Sequence, residues 1–141
     1  MTTTDHTKTG LDEHLSYLKL VYMSENYESL AKKAVQKQWT HVNYLTELTT
    51  AEANQKKDRA TTRRIRAARF PQIKTLEQFK WSLPQKINQL QVKNLFRLKF
   101  IDQKSNVIFL GGVGLGKTYL AAALGYHACL KGHTVLFCSA V

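Results

Sequence analysis

Acidic side chains are scarce in this sequence: 10 Asp and Glu stand against 21 Lys and Arg, a formal charge of +11 over 141 residues, and no acid occurs between Lys117 and Val141. That imbalance implies a polyanionic partner, either nucleic acid or an acidic surface. Cysteine is nearly absent too. Cys129 and Cys138 form no CxxC pair and no histidine cluster stands beside them, which excludes a disulfide framework and a zinc site and leaves both as small apolar residues. No apolar run reaches the roughly 18 to 20 residues that span a bilayer. The opening MTTTDHTKTG lacks the basic and apolar regions of a secretory signal. The chain therefore reads as cytoplasmic, with no membrane partner, and its 43% hydrophobic content places it among globular proteins.

Proline is confined to Pro71 and Pro84, so helical patterns run long. After a flexible polar tail over residues 1–10, Leu11, Leu15, Leu18 and Tyr22 recur at helical spacing, and a second helix is expected from Ser24, as N-cap, to about Lys37. Thr40 is a further cap, and no Gly or Pro interrupts residues 41–68, read as one helix or as two joined near Thr49-Thr50. Phe70-Pro71 ends that region. The aromatics Tyr17, Tyr22, Tyr27, Trp39 and Tyr44 have spacings typical of a core rather than of a base-stacking platform. Past Pro84, residues Ile87, Leu90, Leu95, Leu98 and Phe100 predict another helix, with a turn over residues 103–106. A helical basic domain (11–70) is thus expected to precede the start of an α/β domain (71–141).

The last forty or so residues carry the clearest pattern. Val107 to Leu110 reads as a buried strand, Thr118 to about Leu130 as a helix, Lys131-Gly132-His133 as a turn with a C-cap glycine, and Thr134 to Ser139 as a second strand. The fold class expected is α/β: a helical N-terminal domain followed by the first β-α-β unit of a parallel sheet, incomplete in this chain.

Between the first strand and its helix lies Gly111-Gly112-Val113-Gly114-Leu115-Gly116-Lys117-Thr118, which fits G-x-x-x-x-G-K-[ST]. Glycines let the backbone wrap so that its N–H groups face one phosphate, with the positive end of the next helix behind them. Lys117 would meet the β- and γ-phosphates and the Thr118 hydroxyl would hold Mg²⁺, so ATP and Mg²⁺ are the cofactors expected. A plain strand-to-helix turn would match these fixed positions at about one place in 20,000 at average residue frequencies. Hydrolysis also needs an acid on another strand, and usually an arginine from a neighbour. With no acid downstream of Lys117, these residues argue for nucleotide binding alone.

A second constellation is basic. Lys56, Arg59, Arg63, Arg66 and Arg69 fall within about 140° of one another on a helix, a stripe wide enough to follow a phosphate backbone. It reads either as a surface for double-stranded DNA or as a solvated helix face, or as a contact with the second domain or a neighbouring subunit. No aromatic is interleaved, so any binding would be electrostatic and indifferent to base sequence.

The runs RRIRAARFPQIKTLEQFKW (63–81) and NVIFLGGVGLGKTYLAAALGYHACLKGHTVLF (106–137) closely resemble IstB-type ATP-binding proteins of insertion sequences, relatives of the DnaC helicase loader in the AAA+ class. The resemblance implies a transposition helper that assembles ATP-dependently on DNA and serves an IstA-type transposase, as a homo-oligomer when full-length. It carries the phosphate-binding role onto Gly111, Gly116, Lys117 and Thr118, and places Phe79 and Trp81 either near the adenine or in the core. Family loops commonly read Gly-Pro-Pro-Gly where this one has Gly111-Gly112-Val113-Gly114, which leaves the loop less preorganised. The family also continues past the point where this sequence stops, and its Mg²⁺-binding acid, sensors and arginine finger lie in that continuation. The rival expectations are a non-enzymatic remnant that binds DNA or transposase, and a DnaC-like loader in replication.

Overall fold

The computed structural model describes residues 3–82 and 87–139; Pro84, expected to break the chain, lies outside them. Six helices are described: α1 (Thr3–Tyr17), α2 (Val21–Gln36), α3 (His41–Ala67), α4 (Gln89–Leu95), α5 (Lys99–Asp102) and α6 (Lys117–Leu130). They fall into two units, Met1–Arg59 and Ala60–Val141, with α3 beginning in the first and ending in the second. Helix α1 takes in residues read as a polar tail.

In the first unit the buried apolar side chains are Leu15, Ala34 and Leu48. Helix α2 starts at Val21, three residues before the expected cap, and its N-cap Leu20 has no side chain able to cap it. The group that does so comes from α3. Glu52 is 3% exposed, and its Oε2 accepts the Met23 N–H at 3.0 Å. Tyr44 Oη donates to the Tyr27 carbonyl at 2.9 Å, a second tie between these helices. Of the upstream aromatics, Tyr22, Tyr27, Trp39 and Tyr44 are half-buried, whereas Tyr17 is exposed. Helix α3 is continuous. Thr40 Oγ1 accepts from Asn43 N at 3.1 Å, and the hydroxyls of Thr46 and Thr49 fold back onto the Val42 and Leu45 carbonyls, which accommodates the β-branched residues in mid-helix.

In the second unit, α6 is buried along Leu120, Ala122, Ala123, Leu124, Ala128 and Cys129. One core cluster joins Phe79, Val92 and Leu120; the other joins Leu98, Leu124 and Ala128; Phe96 and Phe109 touch both. The helix expected over residues 87–100 is divided: Asn88 caps α4 by accepting from Gln91 N at 3.0 Å, and Leu98 turns left-handed at φ 59° before α5. Helix α6 ends in the expected glycine turn, with Gly132 at φ 100°, Gly132 N donating to Cys129 O and His133 N to Ala128 O. Arg64 Nε also donates to Cys129 O, at 3.3 Å.

The expected β-α-β unit is not formed: among the described residues there is no strand and no sheet. A strand requires a ladder of bonds to a neighbour. Among the described residues the 134–139 segment makes one backbone bond outside itself, Phe137 N to Ala68 O at 2.8 Å, and that carbonyl belongs to the end of a helix. Residues 107–110 are unladdered. Val107 and Phe109 are half-buried, while Ile108 and Leu110 are 77% and 89% exposed. The apolar composition that reads as a doubly buried parallel strand here has only one covered face.

Candidate functional site

The glycine loop joins the unladdered segment 107–110 to α6, and its conformation follows from its glycines. Gly114 and Gly116 hold φ 79° and 83°, in the left-handed region where a side chain is strained, and Gly116 is also the N-cap of α6. A glycine cap has no side-chain acceptor, so the first N–H groups of the helix remain unsatisfied by any cap. Among the described residues, no backbone N–H from Asn106 to Gly116 donates to another backbone carbonyl. The loop therefore offers a run of unused donors at the positive end of a 14-residue helix, the arrangement that receives an anion.

Lys117 is half-buried and its Nζ donates to the exposed Gly112 carbonyl, which turns the ammonium back toward the loop. Thr118 is exposed, and among the described residues its hydroxyl, unlike those of Thr46 and Thr49, makes no hydrogen bond to a preceding carbonyl. Val113 stands fully exposed at the crown, and a Cβ at Gly114 would meet nothing within 4 Å, so a polyphosphate has an open approach. These residues fit the group that the motif calls for: unbonded amides, one cation and one unengaged hydroxyl converge on one turn of chain. Among the described residues, no group of three or more His, Cys, Asp and Glu is placed to hold a metal ion.

Two cavities flank the loop. One, of about 590 Å³, takes only Leu115 and Lys117 from it, and the rest mixes apolar Val92, Phe109 and Leu120 with polar Asn88, Gln91 and Asn106. The other, of about 310 Å³, lies against Thr118 and Tyr119, with Pro71 and Lys74 opposite. Lys74 Nζ stands 5.3 Å from the Tyr119 ring centroid. Phe79 is buried beneath Gly116, and Trp81 meets its ring edge-on at 5.0 Å.

A profile of the IstB-like ATP binding proteins matches residues 13–141. The chain belongs to the IstB-like ATP binding protein family. It is 39% identical over 127 residues to a Pseudomonas aeruginosa protein named as an ATP-binding protein of insertion sequence IS21, covering 90% of this chain and 48% of that one. A Geobacillus stearothermophilus protein named for IS5376 is 30% identical over 133 residues, 94% of this chain and 53% of its own length. A Bacillus thuringiensis subsp. berliner protein named for IS232 is 28% identical over 127 residues, 90% of this chain and 51% of its own. This IstB-like chain spans about half the length of the curated relatives it matches.

Of the basic stripe, Lys56, Arg59, Arg63 and Arg66 are exposed along α3. Arg69 is exposed as well, but it lies past the helix end at φ 58°, so the helical spacing does not extend to it. Arg59 is bonded to Gln55 one turn earlier. Arg64, between two stripe residues in sequence, is half-buried and committed to the end of α6. Sequence reasoning missed Arg64 and Glu52 because each satisfies a distant helix end, and local spacing carries no such signal. No described helix is long and apolar enough to cross a membrane.

Proposed function

We propose that this chain binds ATP through Gly111–Thr118 and acts in insertion-sequence transposition, a reading supported by relatives named as ATP-binding proteins of insertion sequences. The observation that carries the reading is the left-handed Gly116 at the N-cap of α6, next to Lys117 and below a loop of unbonded amides. In this reading the amides of residues 112–118 receive the phosphate oxygens, and Lys117 exchanges the Gly112 carbonyl for the β- and γ-phosphates. Mg²⁺, held in part by the Thr118 hydroxyl, would neutralise the polyphosphate charge. No hydrolytic step is assigned to these residues. The exposed arginines of α3 favour double-stranded DNA as the macromolecular partner, held through its backbone. A transposase of the same element, and further copies of the protein, complete the assembly proposed.

The deciding experiment is calorimetric titration of MgATP into the wild-type chain and Lys117→Ala, with DNA binding measured separately without nucleotide. Binding lost in the variant, with DNA affinity unchanged, is the expected result. Equal MgATP affinity in both proteins would remove the phosphate-loop assignment.

A further inference from the structure

The underside of the loop bears on a buried aromatic ring. An ideal Cβ at Gly116 would lie 2.7 Å from Cε2 and 3.2 Å from Cζ of Phe79, so the ring is seated directly against the backbone at the point where loop becomes helix. That ring cannot withdraw cheaply. Phe79 is 7% exposed, Trp81 meets it edge-on at 5.0 Å, Tyr119 stands 5.4 Å away, and Val92 and Leu120 close the cluster. Its own backbone is tied too, with Phe79 N donating to Leu76 O at 3.1 Å. The same segment is latched to the first turn of α6 a second time, because Tyr119 Oη donates to the Thr75 carbonyl at 3.1 Å.

We propose that Phe79 is a positioning residue for the phosphate loop: its ring is a fixed floor under Gly116 that holds the loop-to-helix turn in its left-handed, anion-receiving form before ligand arrives. The proposal rests on the nucleotide-binding reading above and deepens it. Gly116 has two independent reasons to lack a side chain, its φ of 83° and the ring beneath it. Among the described residues the loop above has no internal backbone-to-backbone bonds, and it carries Gly112 and Val113 where a stiffer loop would carry prolines. The tie inside the loop, from Lys117 Nζ to the Gly112 carbonyl, is exposed and is given up to the phosphates in the reading above. A support that persists therefore has to come from outside the loop, and Phe79 is the buried group that touches its last glycine. The ring bears on the phosphate end of the site, so its effect falls on the polyphosphate and not on the base.

The test uses the full chain and two ligands, MgATP and inorganic tripolyphosphate with Mg²⁺, titrated calorimetrically into wild type, Phe79→Leu and Phe79→Ala. Phe79→Leu keeps the site apolar and filled, and guards against a variant that fails to fold. The expected result is a loss of affinity of about tenfold in Phe79→Leu, equal for both ligands, with the fraction of binding-competent chains unchanged. A residue that merely supports the fold would instead lower the competent fraction and leave the dissociation constant alone, which would overturn the proposal. A loss confined to MgATP would also overturn it, by moving the ring's contact to the base. Unchanged binding of both ligands in Phe79→Leu would overturn it while leaving the nucleotide reading intact. If wild type bound neither ligand, the nucleotide reading itself would fall.

Discussion

Glu52 Oε2 accepts the backbone N–H of Met23 at 3.0 Å, so a carboxylate from the middle of α3 caps the first turn of α2. Its other oxygen is buried without a hydrogen-bond partner among the described residues. A side chain 29 positions away thus performs the task that Ser or Asp at the N-cap usually performs. Replacing it with Ala leaves the Met23 N–H without its acceptor, and should cost about 1–2 kcal/mol. Glu52→Gln keeps an acceptor and should lose less. Urea melts followed by circular dichroism would order the three proteins, and equal stabilities for wild type and Glu52→Ala would remove the capping role.

Gly125 lies in mid-helix, where Ala would normally gain up to about 1 kcal/mol. Here a Cβ would come within 2.9 Å of Phe70 Cε1 and 3.3 Å of Val135 Cγ1. Overpacking of this kind costs about 1–3 kcal/mol, so it exceeds the propensity gain and Gly125→Ala should be destabilising. Phe70→Leu in the same chain should return part of the loss. A double-mutant cycle by thermal melting measures it, and strictly additive effects would show that ring and helix do not meet.

What could be read from the residues divides according to range. The long α3, its Thr40 cap and the Gly132 turn depend on neighbours within a few positions, and each appears as its local pattern implies. The start of α2 does not, because its cap is Glu52. The end of α1 was hidden by residue type, since Lys19 takes the left-handed conformation where glycine would have been the signal, whereas the end of α2 near Lys37 and the turn over residues 103–106 fall where expected although Gln38 and Lys104 are left-handed too. The strand reading of residues 107–110 and 134–139 failed for a similar reason. Apolar, β-branched composition describes how a segment fits into a sheet, whereas a strand exists only with a partner. The glycine loop was legible since its motif is contiguous, but the ring beneath it lies 37 residues upstream of Gly116 and left no spacing to read.

The two thiols should differ in reactivity. Cys129 is fully buried and burial pushes its thiol up, an effect that Arg64 only partly offsets, while Cys138 is exposed. The thiolate is the reacting form, so Cys129 lacks both access and charge. Titration of the native chain with a colorimetric thiol reagent should release one equivalent per chain quickly and the second only on denaturation. Two fast equivalents would mean that the end of α6 opens readily.

The arginines of α3 make the remaining test, because adjacent residues have opposite fates. Arg63 and Arg66 are exposed, whereas Arg64 is half-buried and donates to the Cys129 carbonyl at 3.3 Å. A cation at a helix C-terminus is worth about 0.3–1 kcal/mol, so Arg64→Ala should lower stability and leave DNA affinity nearly unchanged. The triple variant Arg59→Ala, Arg63→Ala, Arg66→Ala should do the reverse. It should weaken duplex binding equally for unrelated sequences and reduce the slope of log affinity against log salt by about 0.9 for each phosphate that the protein no longer neutralises. Arg59 gives up only an exposed bond to Gln55, which is cheap to break. Fluorescence anisotropy across a salt series distinguishes the outcomes. An unchanged slope in the triple variant would make the stripe a solvated face, and a slope that changed in Arg64→Ala instead would relocate the DNA-binding surface to the end of α6.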